Sequence, residues 1–122
     1  MPNGETVLLI EDNADARMAV ALMLEELGYS VNACEDVDQG VAQLSLGSAC
    51  DIVVTDLIMP GTSGLEFSTL VRRWRAKTPV VLMTGDQEAL ESAVNDGLIP
   101  LLKPFTIDQL RGVLEEALRR RE

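Results

Sequence analysis

Residues 52–64 read IVVTDLIMPGTSG. Ile52 to Thr55 is an aliphatic, β-branched run with no polar alternation, the pattern of a strand buried on both faces. The run ends in Asp56 and passes into a loop built on Met59-Pro60-Gly61. A fully buried strand that delivers one carboxylate into a Pro/Gly loop belongs in an open parallel sheet with helices on both sides, where ligands bind beyond the carboxyl ends of the strands.

Working outward, the same construction recurs. Thr6 to Ile10 (TVLLI) is a second buried strand, and it ends in Glu11-Asp12. Asn13 to Leu27 follows with helical period, apolar at Ala16, Val20, Met23, Leu24 and Leu27, and stops at Gly28. A short strand from Tyr29 to Cys34 and a helix from about Val37 to Leu46 lead back to Ile52. After the loop, Leu65 to Lys77 is helical and Pro79 closes it. Val80 to Met83 is a strand ending at Thr84, Glu88 to Val94 a short helix, Leu98 to Leu102 a strand ending at Lys103, and Thr106 to Arg120 a terminal helix. Five strands alternating with five helices imply a three-layer α/β/α sandwich with right-handed crossovers. At 122 residues, the expectation is one domain over 1–122 with an ordered core from about residue 5 to residue 119.

Composition narrows the chemistry. Apolar residues make up 47% and aromatics 3%, so the core is built from Val, Leu, Ile, Ala and Met. Twenty acidic against ten basic residues give a net charge of -10, which disfavours direct contact with nucleic acid or an anionic membrane. The absence of histidine excludes Ser-His-Asp, Cys-His and His-ligated metal chemistry. Cys34 and Cys50 form no CxxC pair and read as reduced thiols. No apolar run reaches the roughly 20 residues of a membrane-spanning helix, and no basic, apolar leader opens the chain, so a soluble cytoplasmic protein is expected.

The strand ends carry Glu11, Asp12, Asp56, Thr84 and Lys103. Singly, each reads as a helix cap or a turn residue. Together, at one sheet edge, three carboxylates repel unless a cation sits among them. Mg²⁺ suits one or two carboxylates plus waters and phosphate oxygens. With a lysine and a hydroxyl added, the parts of phosphoryl transfer are present, and Asp56 is the candidate nucleophile.

Four segments, LLIEDN, VVTDLIMPGTSG, VVLMTG and LLKPF, stand in that order, and together they resemble the response-regulator receiver domains of two-component signalling, possibly of the hybrid sensor kinase type. The resemblance implies strand order 2-1-3-4-5. It implies that Asp56 accepts a phosphoryl group from the phosphohistidine of a kinase or histidine phosphotransfer protein. Asp12, Asp56 and the backbone carbonyl of Ile58 would hold Mg²⁺, with Glu11 helping through water. Lys103 would pair with phosphoryl oxygens, Thr84 would turn its hydroxyl toward them, and the Lys103-Pro104 bond would be cis. A monomer or a weak, phosphorylation-dependent dimer is expected.

Two departures from the family pattern stand out. The aromatic expected three residues before the lysine is Pro100, so the usual aromatic switch is not expected. Met18 and Leu22, one helical turn apart, take places where receivers carry polar residues. They read equally as a partner-docking surface or as a wider core stripe. Ile58 and Asp86 flank the approach of a hydrolytic water, and an apolar Ile58 points to slow loss of the phosphoryl group. Other functional classes fit less well. A haloacid-dehalogenase-type phosphatase needs a DxD pair, whereas Leu57 and Ile58 follow Asp56. A flavodoxin-like electron carrier needs a Ser/Thr/Gly phosphate loop where Glu11-Asp12-Asn13 stands. A degenerate scaffold would not keep the acceptor, acid pair and lysine.

Overall fold

The computed structural model describes residues 4–57, 63–95 and 97–120. Its elements in chain order are β1 (Thr6–Ile10), α1 (Ala14–Glu26), β2 (Ser30–Cys34), α2 (Val37–Ser45), β3 (Ile52–Asp56), α3 (Gly64–Trp74), β4 (Val80–Thr84), α4 (Gln87–Asn95), β5 (Ile99–Leu102) and α5 (Ile107–Arg120). All five strands are parallel, in the order β2-β1-β3-β4-β5. The expected α/β/α sandwich and its strand order are both present.

Alternation along each strand sorts the core into two layers. Val7, Leu9, Val54, Val81 and Met83 face α1 and α5, where they meet Val20, Leu24, Leu110 and Leu114. Leu8, Ile10, Val53 and Leu82 face the opposite layer and meet Val37, Leu44, Phe67, Val71 and Ala93 of α2, α3 and α4. Both faces of the central strands are covered, which is why they read as continuous apolar runs.

Local chemistry sets the helix ends. Asn13 caps α1, its Oδ1 accepting the Ala16 N–H at 2.8 Å. At the other end Gly28, with φ of 96°, lets the Gly28 and Tyr29 N–H groups turn back to the Glu25 and Leu24 carbonyls. Asp36 and Ser63 cap α2 and α3 in the same way as Asn13. Helix α3 ends at Trp74, three residues before the expected Lys77. Arg75 already has φ of -143°, Thr78 bonds back to the Arg75 carbonyl, and Pro79 holds Thr78 out of helical conformation.

Candidate acidic site at the carboxyl edge of the sheet

Strands β1 and β3 are neighbours, with Ile10 opposite Thr55, so the residues that follow them emerge side by side. Carboxylate oxygens of Glu11, Asp12 and Asp56 lie within 4.8 Å of one another. Their environments differ sharply. Glu11 is only 1% exposed, Asp56 is half-buried, and Asp12 is open to solvent. Such a set of hard oxygen donors, open on one side, fits Mg²⁺ with its retained waters better than a closed cage.

Lys103, delivered by β5 across the sheet, reaches into the cluster. Its Nζ lies 3.1 Å from Glu11 Oε1 and 3.0 Å from Asp56 Oδ1. Burial alone would lower the Lys103 pKa, but hydrogen bonds to Asp56 and Glu11 outweigh it and raise the value above the ordinary 10.5. The ammonium is therefore firmly cationic and offsets part of the charge gathered at this edge.

Backbone contacts hold the frame. Glu11 Oε2 accepts the Asn13 N–H at 3.2 Å, and the Arg17 guanidinium donates to the Glu11 carbonyl at 2.9 Å. Sequence reading passed over Arg17; its only signal was a lone cation one turn beyond the acid pair. It also passed over Gly64, whose N–H donates to the Leu57 carbonyl at 2.9 Å. A Cβ at Gly64 would stand 2.3 Å from the Asp56 carbonyl oxygen, so only glycine lets α3 start this close to β3.

Thr84 is buried at the end of β4, and its Oγ1 accepts the Asp86 N–H at 3.1 Å, within the β4–α4 turn. The Lys103 N–H donates to the Thr84 carbonyl at 2.8 Å, which ties β5 to this turn. The Lys103-Pro104 bond is cis, as expected. Pro100 pairs with Leu82 in register on edge strand β5. Ile58 and the loop as far as Thr62 lie outside the described residues, so the expected carbonyl ligand is not among the groups described.

Met18 and Leu22 are 66% and 58% exposed, which removes the reading of a wider core stripe. They point outward from α1. On another side of that helix an apolar groove of about 410 Å³ lies between α1 and the β5–α5 connection, lined by Ala19, Met23, Phe105, Lys103 and Glu11.

A family model described as the response regulator receiver domain matches residues 7–115. The chain belongs to that family. Among curated relatives, this receiver domain is 34% identical over 123 residues to the phosphate regulon transcriptional regulatory protein PhoB of Klebsiella pneumoniae, covering 93% of this chain and 52% of that one. The receiver domain spans about half the length of the curated relatives it matches. Its fold is shared with a response regulator receiver protein from Sinorhizobium medicae, at TM-score 0.88 and 27% identity over 98% of each chain. The response regulator TrrA of Thermotoga maritima, solved in complex with Mg²⁺ and BeF, shares the fold at TM-score 0.84 and 23% identity, over 93% of this chain and 99% of that one. Among the described residues, no helix is long and apolar enough to cross a membrane.

Proposed function

We propose that this receiver domain is a Mg²⁺-dependent phosphoacceptor in which Asp56 takes a phosphoryl group from the phosphohistidine of a kinase or histidine phosphotransfer protein. The observation that carries this reading is the convergence of Glu11, Asp12 and Asp56 on one point with Lys103 between two of them. In the transfer, an Asp56 carboxylate oxygen attacks phosphorus, the oxygen–phosphorus bond forms, and the nitrogen–phosphorus bond breaks with its electron pair returning to the donor imidazole. Bound Mg²⁺, held by Asp12, Asp56 and the Ile58 carbonyl with Glu11 acting through water, would neutralise charge on the phosphoryl oxygens. Lys103 supplies a second positive charge already positioned at Asp56. Thr84 would leave its bond with the Asp86 amide and donate its hydroxyl to a phosphoryl oxygen. That TrrA, on the same fold, was solved in complex with Mg²⁺ and BeF accords with this reading.

The partner surface in this reading is α1. Exposed Met18 and Leu22, on a helix whose other side lines an apolar groove together with Glu11 and Lys103, suit a histidine-bearing helix laid against the site. The net charge of -10 argues against direct nucleic-acid contact by this domain. We read the chain as one domain working in the cytoplasm, monomeric or weakly dimeric when phosphorylated. Without the aromatic at Pro100 its output does not use aromatic rotation. With an apolar residue, Ile58, two positions after the acceptor in the sequence, self-hydrolysis is slow. Titrating beryllofluoride with Mg²⁺ tests the assignment: amide resonances around Asp56, Thr84 and Lys103 shift in the wild type and stay fixed in Asp56→Asn or with EDTA present. Shifts that persist in Asp56→Asn would place the acceptor elsewhere.

A further inference from the structure

Cations are unevenly placed along this chain. Arg72, Arg73, Arg75 and Lys77 fall within one short segment, and Arg119, Arg120 and Arg121 are consecutive. The fold brings residues 72–77 and the last turn of α5 together at the amino edge of the sheet, the end opposite Asp56. There a cavity of about 380 Å³ opens between the end of α3, the starts of β4 and β5, and the last turn of α5. Arg72 and Lys77 line it from one segment and Arg120 from another, Thr78 adds a hydroxyl, and Ala76 and Pro79 form an apolar wall. Among the described residues that line it there is no Asp or Glu, in a chain with twice as many acids as bases.

Basic residues in the last turn of a helix often serve only to balance the helix dipole. Arg75 does work of that kind, donating to the Leu44 carbonyl at the end of α2. That account does not extend to Lys77, which lies outside any helix, or to the meeting of three cations on one concavity. Arg120 also bonds Glu116 at 3.0 Å, and a guanidinium with five N–H donors can hold a carboxylate and a second anion together. The volume lies in the range of small-molecule pockets, and guanidinium forks match phosphate oxygens.

We propose that this cavity binds a small organic polyphosphate of the nucleoside di- or triphosphate class, its phosphates on Arg72, Lys77 and Arg120 and its apolar body against Ala76 and Pro79. The site is separate from the phosphoacceptor edge and does not depend on the reading given to it. The test titrates the 122-residue chain with ADP and, separately, with inorganic tripolyphosphate, at low ionic strength with EDTA, so that the metal-free acidic edge repels both. Binding is followed by amide shifts and by fluorescence of Trp74, the single tryptophan. Saturable ADP binding with shifts at Thr78, Gly97 and Ile99 is expected, tighter than tripolyphosphate. It should weaken on the order of tenfold in the Lys77→Gln, Arg120→Gln double variant, as loss of two charge-assisted contacts implies. Circular-dichroism melts check that the variant folds, with Arg120→Gln alone as the second variant. Absence of saturation, equal affinity in the variants, or shifts confined to the Lys103 end would overturn the proposal. So would tripolyphosphate binding as tightly as ADP, or tighter binding of an acidic peptide, which would mark a protein contact instead.

Discussion

At Lys103 two requirements meet: the side chain neutralises Glu11 and Asp56, and it stands where a phosphoryl group on Asp56 would need a cation. Removing it leaves nearly buried Glu11 facing another carboxylate with no counter-charge. Lys103→Met is therefore expected to lower stability by about 1–2 kcal/mol in metal-free buffer, less than a fully buried pair because Lys103 is partly solvated. Mg²⁺ should restore most of the loss, and urea unfolding with and without the ion measures both; an unchanged midpoint would mean the pair is only incidental. Cys50 shows the opposite balance, with burial pushing its thiol from 9.0 up to about 11. It should resist alkylation at pH 8 in the folded state. Because the folded value is raised, the stability it contributes is complete below pH 9 and is lost as pH climbs through about 11. Alkylation rates for the native and urea-unfolded chain check this, and equal rates would contradict it.

Among the elements, α1 carries most of the interpretation. Its ends were readable from Asn13 and Gly28 because capping is local chemistry, expressed in the residues that do it. The end of α3 was less readable, since Leu65 to Lys77 stays helical in pattern while Arg75 already departs from helical backbone. The exposure of Met18 and Leu22 was also beyond a sequence reading, because periodicity cannot tell the width of a buried stripe from a neighbouring exposed pair. As docking residues, they should be dispensable for folding and needed for transfer. Met18→Glu, Leu22→Glu should leave the melting temperature nearly unchanged and phosphorylation by acetyl phosphate intact, yet slow transfer from a cognate histidine donor on the order of tenfold. Equal transfer rates would remove α1 as the docking face.

For the molecule as a whole, the alternation of buried runs and helical periods made the parallel sheet legible, and the family resemblance supplied its strand order. Pairings across the sheet stayed hidden. The Lys103 contact with Glu11 joins residues 92 positions apart, and nothing in either segment's pattern announces a partner at that distance. The close approach of Gly64 to Asp56 was hidden for the same reason: a glycine at a helix start also reads as an ordinary loop residue. The acidic edge was legible in kind, because strand-end residues of a parallel sheet must gather at one side. The most direct measurement of the central claim is the intact mass of the chain after incubation with acetyl phosphate, with and without Mg²⁺, for the wild type and for Asp56→Asn. The account predicts one added phosphoryl group on the wild type only when Mg²⁺ is present, and none on Asp56→Asn. Addition without the ion, or equal addition to the variant, would contradict it.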